Sequence, residues 1–140
     1  MTTRTANTHW EGSLKEGKGR VSLDSSGVGS FDVDWPARAE NPGGLTSPEE
    51  LIAAAHSSCF AMALSNALTQ AGHPPTALDV RADVTLTVGT GITGIQLTVR
   101  GSVPELDRDT FDRLAADAKA NCPVSKALSG VTIDLDAELT

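Results

Sequence analysis

The longest uncharged stretch of the sequence, from Leu51 to His73, sets the strongest limit on how this chain can fold. Its length approaches that of a bilayer span, but alanine is its main filler and polar residues such as Ser57, Asn66 and Gln70 interrupt it. A helix that is apolar nearly all round has to be covered on several sides. We therefore predict a central helix covered by its own domain or by a partner chain, rather than a membrane helix.

Local signals predict both ends of this helix. Ser47 is a typical N-cap, Pro48 suits the first turn, and Glu50 follows the cap by three residues. Gly72 is a typical residue at a helix exit, and two prolines follow it shortly afterwards. The pattern predicts a helix that begins after Ser47 and runs to about Gln70.

The composition favours one soluble domain that spans residues 1–140. The charged residues leave a net charge of -7, which makes nucleic acid and anionic membrane surfaces poor partners. The segment from Met1 to Thr8 contains no apolar run of the kind found in signal peptides, so we expect a cytoplasmic location. In that compartment a persistent structural disulfide is unusual.

The remaining sequence predicts strands on both sides of the helix and a second helical region. Polar and apolar residues alternate around glycine-rich turns before the helix, which predicts a meander of three short strands. The clearest alternation, from Leu78 to Val88, continues after a glycine turn and predicts an antiparallel hairpin. A helix is predicted after Asp107 or Asp109, and a last strand from Val131 to Leu139, so the fold class is α+β. The meander strands are predicted at His9 to Leu14, Arg20 to Leu23 and Ser30 to Trp35, and a loop at Asn41 to Gly44.

Two cysteines, Cys59 in the uncharged stretch and Cys122 just before a proline, raise the question of thiol chemistry. The thiolate is the reactive form, and an ordinary thiol is only a few per cent ionised at neutral pH. Burial in an apolar helix raises a thiol pKa, so Cys59 needs a cation brought in from elsewhere. Arg38 stands out because it precedes the loop that leads into the cysteine helix, and Glu49 or Glu50 could orient it by a two-point contact.

The spacing of Glu49 and Cys59 limits how such a site can be assembled. Ten residues on a continuous helix correspond to about 15 Å along the axis and about 80° around it. Two side chains so placed do not share one pocket. The sequence therefore predicts either a site assembled at a dimer interface or a helix break near Ala53 to Ala55.

Each of these residues also has a plain structural interpretation. Cys59 alone fits a packed core cysteine, whereas Cys122 lies at a helix start, where the peptide dipoles lower a thiol pKa. Arg38 alone fits a solvated surface residue, and the two glutamates fit helix capping. His56 could act as a base or, with Cys59 and His73, join a metal site, although the sequence has no recognised metal-ligand spacing.

Three blocks of the sequence carry a family resemblance. The blocks are His9 to Gly12, Ser47 to Ser65 and Asn121 to Leu128. They follow one another in the same order as in one known family, and the resemblance extends over nearly the whole chain. Together they resemble the OsmC/Ohr family of osmotically inducible and organic hydroperoxide resistance thiol peroxidases. The identity of His56 and the position of Arg38 resemble the OsmC branch of that family.

The resemblance implies a fold, an assembly and a set of roles. It implies antiparallel sheets wrapped around long central helices in an intertwined homodimer, with active sites at the interface. By similarity, Cys59 is the peroxidatic thiolate, Arg38 its activating cation and Glu49 the carboxylate that holds the arginine. A sulfenic acid at Cys59 would then condense with Cys122, the resolving thiol, to an intramolecular disulfide.

The resemblance also implies a substrate and a reductant. An outside dithiol would reduce the disulfide by exchange, and in the family this donor is often a dihydrolipoyl group on a carrier protein. No metal, haem or flavin is implied. Organic hydroperoxides would be preferred over hydrogen peroxide because of an apolar pocket. The candidate pocket residues are Leu51, Phe60, Met62 and Val124.

Two other functions remain open beside the peroxidase. One is a non-catalytic, stress-related binding or scaffold protein of the same fold, whose two cysteines pack or form a static crosslink. A crosslink that closes a loop of roughly 60 residues would stabilise the fold by about 4 kcal/mol. The other is a hydrolase with a cysteine nucleophile, for which His56 on the same helical face as Cys59 would be the base.

Overall fold

The computed structural model describes the whole chain, residues 1–140. Backbone contacts divide it into two compact units, residues 1–51 and residues 52–140. The single domain expected from the sequence stays a prediction. In chain order the elements are β1 (Asn7–Glu11), β2 (Lys18–Ser22), β3 (Ser30–Val33), α1 (Trp35–Ala39), α2 (Pro48–Gln70), β4 (Ala77–Thr87), β5 (Gly91–Ser102), α3 (Arg108–Asn121), α4 (Pro123–Ala127) and β6 (Thr132–Leu139).

The sheet of the first unit is the predicted meander. β1 pairs with β2 and β2 with β3, both antiparallel, so the strand order follows the chain. Gly19 in the middle strand lies under the ring of Trp10, where an added Cβ would come within 2.7 Å of a ring carbon. The sequence therefore needs glycine at this position for the tryptophan to pack across the strand.

A short helix, α1, follows this sheet and begins at Trp35, where the sequence prediction ended a strand. Asp34 caps the helix, because its Oδ1 accepts a hydrogen bond of 2.7 Å from the backbone N–H of Ala37. Pro36 occupies the first turn, where its missing N–H costs nothing. The predicted strand end at Trp35 is wrong, because β3 ends at Val33 and Arg38 lies in the last turn of a helix. The loop predicted at Asn41 to Gly44 is confirmed, since these residues lie outside helix and strand.

The long helix α2 has the predicted ends. Ser47 Oγ accepts a hydrogen bond of 3.1 Å from the N–H of Glu50, and Gly72 follows the helix with a φ of +86°. The helix is continuous from Pro48 to Gln70, so the break considered near Ala53 to Ala55 is wrong. By length and composition alone α2 would suit a bilayer, a test that core helices of soluble proteins also pass.

The sheet of the second unit has the order β4-β5-β6. β4 and β5 form the predicted antiparallel hairpin around a turn at Gly89 and Gly91. β6 instead pairs parallel with β5, which corrects the expectation of antiparallel sheets throughout. The parallel pairing follows from the connection: α3 and α4 form a crossover that returns the chain to the same end of the sheet before β6 begins.

The core of the second unit lies where α2, β5 and α3 contribute their apolar faces. From α2 the fully buried side chains recur every four residues, at His56, Phe60, Leu64 and Leu68, as one stripe of a helix requires. Cys122 is fully buried in the same cluster. The other buried members of the cluster are Leu97, Val99, Val103, Phe111, Leu114, Ala115 and Ala118.

Candidate active site

An ion pair between Arg38 and Glu49 is the first element of the site, and it lies within the first unit. Arg38 Nε donates to Glu49 Oε1 at 3.0 Å and Arg38 Nη2 donates to Glu49 Oε2 at 3.0 Å, so the contact has two points. The Glu49 side chain is only 9% exposed and that of Arg38 is 33% exposed. The hydrogen bond to Glu49 raises the pKa of Arg38 further above its usual value. The guanidinium is thus a fixed positive charge with one edge towards solvent.

Glu50, the other carboxylate that could have held the arginine, has different partners. Its Oε1 accepts a hydrogen bond of 2.6 Å from the Thr46 hydroxyl, and its backbone N–H bonds the Ser47 cap. The sequence left both glutamates open as the partner of Arg38. The structure pairs Glu49 with the arginine and leaves Glu50 at the start of α2.

An apolar hollow of about 370 Å³ lies beside Arg38 in the first unit. The strands contribute Trp10 and Val21, and α1 contributes Trp35. Leu51, one of the predicted pocket residues, also lines it. The hollow therefore offers aromatic and aliphatic surface next to a fixed cation.

The two cysteines meet in the second unit, although 63 residues separate them in sequence. Their Sγ atoms lie 2.9 Å apart in a thiol–thiol hydrogen bond, and both cysteines are free. Cys59 is partly buried on α2, and Cys122 is fully buried immediately before α4. Two thiols in contact need only a small movement to form a disulfide, for which the sulfurs have to approach to about 2.05 Å.

The surroundings of the two thiols shift their pKa values in opposite directions. Burial and the hydrogen bond with Cys122 raise the pKa of Cys59, although the backbone N–H of Val124 acts against them. Burial acts to raise the pKa of Cys122 as well, but hydrogen bonds from Cys59, Ser125 and Val124 outweigh it and lower that pKa. Within its own unit, the surroundings of Cys59 therefore favour the neutral thiol over the thiolate.

His56 is held by a residue that the sequence prediction did not single out. His56 Nε2 lies 2.7 Å from the Ser125 hydroxyl oxygen, and both side chains are buried. Burial lowers the pKa of His56, which favours the neutral imidazole. The hydrolase arrangement, with His56 as the base for Cys59, is wrong, because the hydrogen bond goes to Ser125. His56, Cys59 and His73 do not form a group that could hold a metal ion.

The predicted pocket residues beyond Leu51 lie in different surroundings. Phe60 is fully buried in the core of the second unit. Met62 is 72% exposed on α2 and lines a separate shallow depression. Val124 is partly buried and packs against the core. Contact of these three side chains with a substrate stays a prediction.

Comparison with known proteins places the chain in a family. A family profile described as OsmC-like protein matches residues 41–136. Peroxiredoxin OsmC of Escherichia coli (strain K12) is 44% identical over 135 residues, which cover 94% of each chain. Organic hydroperoxide resistance protein OhrB of Bacillus subtilis (strain 168) is 32% identical over 123 residues, 86% of this chain and 88% of that protein. The crystal structure of OhrB of Bacillus subtilis superposes with a TM-score of 0.71 at 29% identity, covering 97% of this chain and 98% of that one.

The mixed fold of two small sheets and a long helix is that of the OsmC/Ohr proteins, and it carries two free thiols in contact. The chain belongs to the OsmC-like family. It is an enzyme of the peroxidase class, and the predicted family, α+β fold and enzyme class are confirmed. The alternative of a non-catalytic scaffold is therefore set aside.

Proposed function

We propose that the protein is a thiol peroxidase that reduces organic hydroperoxides, and hydrogen peroxide more weakly, as an antioxidant enzyme. The observation that carries this proposal is the contact of 2.9 Å between the two free sulfurs of Cys59 and Cys122. A sulfenic acid formed on one of them is within immediate reach of the other. The names of the relatives from Escherichia coli and Bacillus subtilis support the same substrate class.

The proposed reaction has three steps. The Cys59 thiolate attacks the distal oxygen of the hydroperoxide, the O–O bond breaks, and the alkoxide takes a proton to leave as an alcohol. Cys122 then attacks the sulfur of the Cys59 sulfenic acid, a disulfide forms, and the hydroxyl leaves as water. A dithiol, such as a dihydrolipoyl group on a carrier protein, reduces the disulfide by exchange and becomes a disulfide itself. No metal or organic cofactor takes part.

Arg38 and Glu49 are proposed to activate Cys59 from the partner chain of a homodimer. In this chain α2 is continuous, and Glu49 and Cys59 are ten residues apart on it, about 15 Å along the helix axis. The uncharged face of α2 opposite its buried stripe, which includes Met62, is exposed in the single chain. A second copy of the chain that packs on this face would bury it. The same packing would bring Arg38 of one chain close to Cys59 of the other.

The preference for organic hydroperoxides is proposed to come from the apolar hollow beside Arg38. Trp10, Trp35 and Leu51 would hold the organic part of the substrate, while the guanidinium faces the peroxide oxygens. Burying apolar surface is worth about 25 cal/mol per Å², so an aryl or alkyl group gains binding energy that hydrogen peroxide lacks. A cytoplasmic location, where dithiol reductants are abundant, completes the proposal.

Replacement of each cysteine tests the proposed roles. We expect Cys59→Ser to abolish the consumption of cumene hydroperoxide in the presence of a dithiol. We expect Cys122→Ser to form a sulfenic acid at Cys59, detectable with dimedone, but to lose turnover driven by a dithiol. Peroxide consumption by Cys59→Ser at the wild-type rate would show that the proposal is wrong.

A further inference from the structure

Two contacts join α2 to the segment at the start of α4, and the proposed reaction uses only one of them. Cys59 Sγ lies 2.9 Å from Cys122 Sγ, and His56 Nε2 lies 2.7 Å from Ser125 Oγ. On each segment the two residues are three apart in sequence, and residues three apart on a helix are neighbours on one face. The polar contact therefore lies beside the sulfurs, about one helical turn away.

Cys122 lies at the junction between two helices. It caps the end of α3 and the start of α4, with a φ of -55° and a ψ of 126° that belong to neither helix. Its N–H donates to the carbonyl of Ala118 at 2.8 Å, and its carbonyl accepts from the N–H of Lys126 at 3.0 Å. The direction of the Cys122 side chain therefore depends on how both helices are held.

The two helices are held in different ways. α3 buries four apolar side chains, Phe111, Leu114, Ala115 and Ala118. α4 has five residues, of which only Ser125 is buried, and its N-cap makes no side-chain hydrogen bond. So short a helix has no stability of its own in water. Its position therefore depends on few contacts, and Ser125 to His56 is the one side-chain hydrogen bond that links it to another helix.

A polar contact at this place differs from an apolar one in cost and in direction. His56 has no exposed surface, Ser125 is 5% exposed, and His56 Nδ1 is buried without a partner. Apolar side chains would fill the same volume without the cost of burying these polar groups. Apolar attraction has no direction, however, whereas a hydrogen bond requires a narrow range of distance and angle. The bond therefore fixes how α4 sits on α2.

We infer that His56 and Ser125 are positioning residues that hold α4 on α2, so that the sulfur of Cys122 stays within reach of Cys59 in the reduced enzyme. This inference rests on the proposed function, in which the two cysteines form a disulfide in every cycle. Without the bond, α4 would sample positions in which the sulfurs are farther apart, and disulfide formation would have to order it again. The bond thus raises the effective concentration of one thiol at the other.

Equilibrium with glutathione measures this effective concentration directly. Full-length protein is equilibrated in buffers of reduced and oxidised glutathione, and the fraction with a disulfide is determined. Each protein disulfide that forms passes two hydrogen atoms to one oxidised glutathione, which becomes two thiols. For Ser125→Ala and for His56→Leu we expect the equilibrium to shift towards the dithiol by about three- to ten-fold, the range that one hydrogen bond contributes.

A double-mutant cycle distinguishes this bond from general packing. If the two residues act through their mutual contact, the double variant shifts the equilibrium about as far as either single variant. Ser125→Thr keeps the hydroxyl and His56→Gln keeps a side-chain amide, so both should restore most of the wild-type value. Ser57→Ala is the matched control, because the Ser57 hydroxyl bonds only the carbonyl of Ala54 in its own helix. Additive shifts, or no shift in the single variants, would overturn the inference.

A single turnover connects the contact with the proposed reaction. Reduced enzyme is mixed with one equivalent of cumene hydroperoxide, and peroxide loss and disulfide formation are followed by rapid quenching. In the second step the S–S bond forms, the S–O bond of the Cys59 sulfenic acid breaks, and the leaving hydroxyl takes the thiol proton of Cys122 to become water. We expect the ratio of the second rate constant to the first to fall by about three- to ten-fold in Ser125→Ala and His56→Leu.

The two possible failures are distinguishable. Equal slowing of both steps in these variants would overturn the inference. A wild-type enzyme that consumes no peroxide would overturn the proposed function, and the glutathione equilibrium would still report whether the contact holds the two sulfurs together.

Amide hydrogen exchange of the reduced wild type does not depend on how the variants fold. The N–H groups of Lys126 and Leu128 report on α4, because they bond the carbonyls of Cys122 and Val124. We expect both to exchange at least about ten-fold more slowly than in a free chain, with little further gain on oxidation. Exchange at the free-chain rate until the disulfide forms would show that the disulfide, and not the hydrogen bond, holds α4.

Discussion

The two halves of the proposed site differ in charge and in burial. The Arg38–Glu49 pair of the first unit is a full ion pair with one edge open to solvent. The thiols of the second unit lie among buried neutral groups, Ser125 and His56, joined by hydrogen bonds. The first half supplies charge and the second supplies contact between sulfurs. Neither half alone gives a peroxidatic thiolate, because the surroundings of Cys59 raise its pKa.

The contrast also explains why the two cysteines need different help. The proposed resolving thiol, Cys122, has neighbours within its own unit that lower its pKa. The proposed peroxidatic thiol, Cys59, has a raised pKa, and we propose that a second chain provides the cation it needs. In this proposal, activation of the peroxide step requires a dimer, whereas the groups that lower the pKa of Cys122 lie within its own unit.

The largest expected effect on stability comes from truncating a side chain in the buried cluster that also contains Cys122. Leu64 is fully buried on the stripe of α2 that carries His56 and Phe60. We expect Leu64→Ala to lower the free energy of unfolding by about 2–5 kcal/mol, because it loses apolar burial and leaves a cavity. Val88→Ala, in the exposed turn after β4, is the control and should stay within about 0.5 kcal/mol. Denaturant unfolding of both variants measures this, and equal effects would show that the second unit is not organised around this core.

Removing the Arg38 guanidinium should lower the rate of peroxide reduction more than the stability of the fold. We expect Arg38→Ala to slow the oxidation of Cys59 by about a hundred-fold at neutral pH, because an opposite charge nearby is what favours the thiolate. The loss should shrink as the pH rises, since base ionises the thiol without help. Stopped-flow peroxide consumption across pH measures this.

Two variants sharpen the interpretation of Arg38. Arg38→Lys should recover only part of the rate, because an ammonium group cannot make the two-point contact with Glu49. Arg20→Ala removes an exposed arginine that pairs with Asp32 on the same unit, and it should leave the rate unchanged. A wild-type oxidation rate in Arg38→Ala at every pH would contradict the division of roles between the two halves.

The smallest expected effect is a pH dependence of stability in the buried half. Burial lowers the pKa of His56, so below about pH 6.5 the unfolded chain takes up a proton that the folded chain does not. Stability from this residue is therefore present above that pH and is lost as the pH falls. We expect His56→Gln to flatten this slope, and Ser57→Ala to keep it, in denaturant titrations at several pH values. An unchanged slope in His56→Gln would mean that the imidazole is not held neutral.

The sequence predicted those parts of the fold that depend on local signals. The ends of α2 follow from Ser47 and Gly72, and the hairpin from strict alternation around a glycine turn. The helix α1 was missed although Asp34 and Pro36 form a cap and a first turn, because five residues are too few for a helical period. The direction of β6 depends on its partner in space, which no local pattern specifies.

For the candidate site, the sequence indicated candidate residues, but it indicated few of the contacts between them. A cation requirement for Cys59 and a link between Arg38 and a glutamate followed from thiol chemistry. The choice of Glu49 over Glu50 depends on the path of the loop before α2, and the contact of Ser125 with His56 joins residues 69 apart in sequence. The only local signal for Ser125 was its position three residues after Cys122.

The central claim is that Cys59 and Cys122 form a peroxide-driven redox pair, and a count of free thiols tests it most directly. Purified, reduced protein is titrated before and after one equivalent of cumene hydroperoxide, with the intact mass measured in parallel. The account predicts that each chain loses both thiols and two hydrogen atoms, and that a dithiol restores them. Survival of both thiols with an unchanged mass would contradict it.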